Sequence, residues 1–448
     1  MAGLKRALPL RTAVSTSAGL ASAAINFLAV AELAGYAGGR SGWLAILVAG
    51  VLITLAAGNF SELTALYPSA AAIRVWIRRG ASDQLSMVAS LVYVGTVVFV
   101  IAADAFVLGH VFLAALPGVP GLLWICALLG LVTLLNLRGI RVAGWVQDLN
   151  GLFLLGSLLV VSLLALGHVP APHWHAALQI GPNWIQALAL GVFVFVGFEW
   201  VTPLAEEFQD SRVIPRGMFM ALGLIAVAFG LFALAAQMVL PAHGLASSPV
   251  PQLLLGRAVL GGWGFWWMVV VSLTTAMTTF NGGLATASRF VYAAARERLL
   301  PVRFSRLNAR LVPQSALVLL AAVALVLAAV VYATGVYTLL INVGAAVESF
   351  MYALAAWLVL SLRRREPHRA RTFRMPGLPW TTVLTMVVFA GLGVGAATTA
   401  SGIPGPVPWP LVFVAVLAVL AFWYVRQVVP RLKAPAAAGA RIPPPPDV

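Results

Sequence analysis

The chain has little that a water-soluble protein needs. Only 9% of its 448 residues are charged, only 13 are acidic, and lysine occurs twice, at Lys5 and Lys433. A single Cys126 excludes a disulfide framework, and so little charge leaves no material for a soluble surface. Disorder is excluded by the opposite excess: 61% of the residues are hydrophobic and the mean hydropathy is +0.98. What remains is a polytopic membrane protein.

The bilayer core is about 30 Å thick and takes roughly 17 to 25 apolar residues per helix. Twelve windows of that kind occur, at 14–37, 42–68, 84–113, 121–137, 143–167, 183–205, 216–241, 262–292, 313–332, 337–361, 380–400 and 408–429. Their hydrophobicity is continuous rather than alternating, which predicts an all-α protein of twelve transmembrane helices and not a barrel. The first window has no cleavage-site boundary and reads as a retained span. The Ala/Pro-rich tail, 430–448, reads as disordered, and 1–13 as a short N-terminal segment.

Of the 28 Lys and Arg residues, 26 fall on one side of this arrangement, in the termini and alternate loops; only Arg40 and Arg257 fall on the other. The positive-inside rule then predicts a multi-pass protein of the plasma (inner) membrane with both termini in the cytoplasm. A net charge of +15 is explained by topology and lipid contact, with no nucleic acid. The basic loop 363–379, with Arg363, Arg369, Arg371 and Arg374, reads the same way. Trp263, Trp266 and Trp267 suit an interfacial belt. His173 and His175 lack the further ligands a metal site needs, and no cofactor is expected.

No large loop is available for a soluble domain, so function belongs inside the bundle. Transporters bind solutes near the membrane midplane at interrupted helices, where an unwound turn exposes backbone N–H and C=O groups. Two spans carry the residues for this. Span 1 has Ser15, Thr16, Ser17, Gly19, Ser22 and Asn26; span 6 has Gly191, Gly197, Glu199, Thr202 and Pro203. They stand five helices apart, the separation of a five-plus-five inverted repeat. Three acids also lie deep in spans: Asp104 in span 3, Glu199 in span 6 and Glu348 in span 10. Each costs about 2.5 to 3.5 kcal/mol on insertion scales, and no basic residue falls at comparable depth. Protons or cations are the expected contacts of all three. Glu62, nearer the end of span 2, reads as structural.

Several stretches are similar to the amino acid/polyamine/organocation superfamily. Ser61-Glu62-Leu63 with Pro68, Asn136-Leu137-Arg138-Gly139 with Val146-Gln147, and Ser288 to Pro313 resemble its segments, and Phe193-Val194-Phe195-Val196-Gly197-Phe198-Glu199 with Glu206-Glu207 and Ile214-Pro215-Arg216 is the closest match. The resemblance implies a ten-helix core, 14–362, with broken helices 1 and 6, plus two peripheral helices in 380–429. It implies alternating access, with the solute held by Ser22, Ala23, Ala24, Ile25, Asn26, Phe193, Phe195, Val196, Gly197 and Phe198, and Phe193 as a gate. Ser22 to Asn26 stand where the family has G-S-G-I-F, whose free amides hold a substrate carboxylate; both glycines and the aromatic are replaced here. The family's span 5 lysine aligns with Leu154. Coupling therefore falls to another acid, with Glu199 foremost, to sodium near Thr275, Thr278 or Thr279, or to exchange without an ion.

The expected function is a secondary transporter for an amino acid, coupled to H+ or Na+ or working by exchange; an organic amine or polyamine is the alternative solute. No H-E-x-x-H, P-loop or catalytic His/Asp cluster points to an enzyme.

Overall fold

The computed structural model describes residues 4, 6–36, 41–169, 171–181, 183–241, 244–245, 248–399 and 403–437. It is all-helical, and the described residues contain no sheet, only an isolated bridge between Leu8 and Phe208.

Span 1 is two helices, α1 (Leu10–Ala21) and α2 (Ile25–Tyr36), bent by 56°. Span 2 is α3 (Gly42–Leu66), followed by the short α4 (Ile73–Gly80). Span 3 is α5 (Asp83–Ala115), started by Ser82, whose side chain accepts a hydrogen bond from the Leu85 amide. Next come α6 (Gly121–Leu137) and α7 (Ile140–Leu166). Span 6 is α8 (Trp184–Phe193) followed by a turn and a 3₁₀ segment, Phe198–Leu204. The chain continues through α9 (Val213–Val239), α10 (Pro251–Arg296), α11 (Gln314–Thr334), α12 (Tyr337–Arg365), α13 (Trp380–Thr398), α14 (Trp409–Gln427) and α15 (Val429–Ala437).

Among the described residues ten helices are long and apolar enough to cross a bilayer, and the bent pair α1 and α2 makes an eleventh. The 17-residue α6 is apolar but only about 26 Å long at 1.5 Å per residue, short of the hydrocarbon thickness. At span 8, α10 is two helices that meet at Gly261, whose φ of 60° and ψ of −137° are not helical. The Gly261-Gly262 pair permits that turn, and Gly256 and Gly264 then pack backbone to backbone.

Burial separates core from periphery. In α5, 72% of the apolar window is buried, against 28% in α13 and 17% at α14, so the last two spans stand outside the bundle. Outward-facing Leu134, Leu152, Val326 and Val419 are exposed, as lipid-facing residues are, and so are Trp263 and Trp266. At the centre, α1 packs on α7 and α9, and α2 packs on α8. The two interrupted spans thus meet inside the bundle.

Candidate functional site

The first break is residues 22–24, where the polar run of span 1 ends α1. Ser22, Ala23, Ala24, Ile25 and Asn26 are all buried. The Asn26 side-chain amide donates to Ala21 O at 2.6 Å and to Val194 O at 3.1 Å. One residue thus satisfies a freed carbonyl in each broken span and ties them together. The Ile25 amide, at the start of α2, donates to Asp104 Oδ1 of α5 at 2.9 Å. Asp104 is fully buried, and its Oδ2 has no hydrogen-bond partner.

The second break is the turn after Phe193. Gly197 has φ 106°, ψ −4°, the left-handed region, and a Cβ there would lie 3.3 Å from Leu20 Cγ and 3.4 Å from the Leu20 carbonyl carbon. Only glycine allows both the turn and this approach to the end of α1. Pro203, without an N–H, disfavours an α-helix across the next turn, where the chain is 3₁₀. Phe193 and Val196 are buried beside the turn, Phe195 lies next to Gly50 of α3, and Phe198 packs against Phe60 and Tyr352.

Glu199 follows directly and is fully buried. Its two oxygens accept from Tyr93 of α5, at 3.0 Å, and Tyr352 of α12, at 2.8 Å. Glu348, also on α12, accepts at Oε1 from Thr96 (2.7 Å) and from the Trp200 indole (3.0 Å). Its Oε2 has no donor, and the two carboxyl groups are neighbours. Tyr93 stacks on Trp200 at 4.3 Å. The structure therefore joins two of the three deep acids and keeps Asp104 apart. Tyr93 and Asp104 share a face of α5, eleven residues or about 16 Å apart.

The arginine-rich end is held shut by ion pairs. Arg289 binds Glu207 at 2.9 and 3.3 Å, and the Glu207 carbonyl accepts from the amides of Ala7 and Leu8. Burial pushes the Glu207 carboxyl up while Arg289 opposes the shift. Asp148 of α7 takes Arg11, Thr12 and Ser15 of α1. Glu62 is bound by Arg363 at 2.8 and 2.6 Å and by the Met375 amide, with Arg371 Nε 3.2 Å away. Arg369 lies 4.1 Å over the Tyr67 ring. Burial pushes Tyr67 up to about 12, with a hydrogen bond to Glu366 adding to the rise. These loop arginines thus hold the chain itself, where the sequence suggested lipid. A cavity of about 560 Å³ lies at this end beside Arg11, Arg141 and Asp148, adjoining a space of only about 10 Å³ at Thr16, Gln147 and Asn281.

The hydroxyls of Thr275, Thr278 and Thr279 all donate to carbonyls of their own helix, and Leu154 is buried. Among the described residues no group of three metal-type ligands occurs; the His173 side chain lies outside them. Sequence reasoning missed Tyr93, Tyr352, Thr96 and Trp200. The available signal was weak: Tyr93 and Thr96 fall on the helical face of Asp104, and Tyr352 lies four residues after Glu348.

Comparison with known proteins agrees with this geometry. The family profile described as "Amino acid permease" matches residues 9–423. The chain is 26% identical over 385 residues to an uncharacterized amino acid permease, YecA, of Bacillus subtilis, covering 82% of this chain and 84% of the relative. It is 26% identical over 412 residues to the aromatic amino acid transport protein AroP of Corynebacterium glutamicum (86% and 88% covered). The polyamine transporter PUT1 of Oryza sativa matches over a shorter stretch, at 24% identity, 58% of this chain and 48% of the relative. Among solved structures, a Na+-coupled sialic acid symporter in a substrate-bound outward-open state superposes with a TM-score of 0.58 at 13% identity, covering 88% and 91%. That likeness shows the fold: an inverted-repeat helix bundle with its first and sixth spans broken. By sequence profile and by fold, this chain belongs to the amino acid permease family of the amino acid/polyamine/organocation superfamily.

Proposed function

We propose that the protein is a proton-coupled secondary transporter that carries a small amino-bearing solute, an amino acid or an organic amine, across the plasma (inner) membrane by alternating access. The observation that carries this reading is the meeting of two broken spans at Asn26 and Gly197. Solute binds between Ser22–Asn26 and Phe193–Phe198, where unwound backbone supplies polar groups that intact helices would hide. The transport core is 14–362, both termini are cytoplasmic, and the clasped, arginine-rich end is the cytoplasmic gate.

The proton belongs to the Glu199 and Glu348 pair. Two ionised carboxyls in contact, with no cation within reach, would both bear the desolvation cost of charge. One proton on Glu348 Oε2 gives that oxygen a partner and donates to Glu199, whose remaining capacity is met by Tyr93 and Tyr352. Among the described residues the pair's hydrogen-bond donors are two phenols, a threonine and an indole. Opening the gate wets the pair and releases the proton, so proton movement and solute movement share one conformational change.

The test is counterflow by the purified protein in liposomes, with amino acids and amines, across pH. Uptake of at least one such solute, driven by an inward proton gradient, is expected. Transport that ignores the gradient but requires counter-solute would replace coupling by exchange; stimulation by Na+ alone would move the ion to the span 8 threonines.

A further inference from the structure

We infer that Asp104 makes the solute site select amines that lack an α-carboxylate; this rests on the transporter reading above and names its substrate class. The exposed start of α2 would suit a carboxylate, because an unwound turn followed by a helix N-terminus presents free amides and the positive end of the helix dipole. In this chain that place is already taken. The Ile25 amide donates to Asp104 Oδ1 at 2.9 Å, and the next two amides, of Asn26 and Phe27, are used by the carbonyls of Ala23 and Ala24.

A solute carboxylate arriving there would meet a fixed carboxylate instead of a free donor. Among the described residues no basic side chain pairs with Asp104 to separate the two charges. The other oxygen, Oδ2, is the informative atom. It is fully buried with no donor at hydrogen-bonding geometry; the Ala24 amide and the Thr279 hydroxyl stand beside the carboxyl, the latter bonded to Thr275 O at 3.1 Å. A buried carboxylate oxygen with no donor is completed by a cation that brings its own hydrogens, which an alkylammonium group does. Asp104 is thus both the repulsive element against amino acids and the attractive one for amines, which is how a site discriminates between close analogues. The Glu199 and Glu348 pair binds α5 at Tyr93 and Thr96, about two to three helical turns from Asp104, and does not neutralise it.

The experiment compares amino acids with their decarboxylated amines on the purified full-length protein: leucine with isopentylamine, phenylalanine with phenethylamine, ornithine with putrescine. Thermal stabilisation in detergent gives a half-saturating concentration for each, and counterflow in liposomes is measured alongside with protein-free liposomes as blank. In at least one pair the amine is expected to act at a concentration at least tenfold below that of its amino acid, and Asp104→Asn to erase that preference. An amino acid that acts at the lower concentration in its pair, with no pair favouring the amine, overturns the inference, as does the absence of stabilisation by every amine. Both leave the transporter reading standing if amino acids show counterflow. No counterflow with any of the six compounds by a protein that remains folded sinks the transporter reading itself. Should Asp104→Asn fail to fold, the wild-type preference still decides.

Discussion

At the scale of single residues, the argument turns on buried carboxylate oxygens, of which two among the described residues, Asp104 Oδ2 and Glu348 Oε2, have no hydrogen-bond partner. In the proposed mechanism those two oxygens receive a solute cation and a proton. Glu199→Gln removes the anion of the carboxyl pair, so uptake should lose its dependence on the proton gradient while the protein stays folded; a pH profile of uptake identical to wild type would refute the role of Glu199. Glu348→Gln should be the better-tolerated change, because its amide N–H donates to Glu199 as the protonated acid does, yet it cannot release that proton. It too should carry out exchange without net proton-driven uptake, measured as counterflow retained and accumulation lost. Asp104, Glu199 and Glu348 were legible in the sequence because an acid in an apolar window is conspicuous. Their partners were not. A tyrosine or tryptophan in such a window resembles packing, and only the fold reveals that Tyr93, Tyr352 and Trp200 point at carboxylates.

At the scale of elements, the protein depends on interruptions. Gly197 holds a φ that other residues reach at a cost of about 1–3 kcal/mol, and its missing Cβ lets span 6 approach Leu20. Gly197→Ala should lower the melting temperature and abolish transport; wild-type stability with full uptake would show that the turn is not required. Asn26→Leu should leave the carbonyls of Ala21 and Val194 without their donor, at about 1–3 kcal/mol for each buried group left unsatisfied. Faster amide hydrogen exchange in both breaks at once is the expected sign; a change confined to span 1 would mean that Asn26 does not bridge them. The breaks were legible because serine, glycine and proline cluster where lipid contact would favour leucine. The bridging role of Asn26 was not, since a polar residue beside a solute site reads equally well as a ligand. The sequence window for span 8 begins at 262, beside the break at Gly261, and leaves out only the separate helix that precedes it from Pro251.

At the scale of the whole molecule, the charges do two things. Their uneven distribution, which the sequence displays openly, is the basis of the proposed orientation, and their ion pairs tie together one end of the bundle, which the sequence concealed. Glu207 and Arg289 are 82 residues apart, and Glu62 and Arg363 are 301 apart, so nothing local joins them. Arg289→Gln leaves Glu207 buried without its cation, a loss of about 3–5 kcal/mol for a broken buried pair. Residues 6–8 and 207–209 should then exchange amide hydrogens faster; unchanged exchange at both segments would remove the clasp from the proposed mechanism. The most direct measurement of the central claim is a cryo-EM map of the protein with a transported solute bound. The account predicts density for the solute between Ser22–Asn26 and Phe193–Phe198, within hydrogen-bonding distance of the interrupted backbone. Solute density elsewhere, with both spans running unbroken past that position, would contradict it.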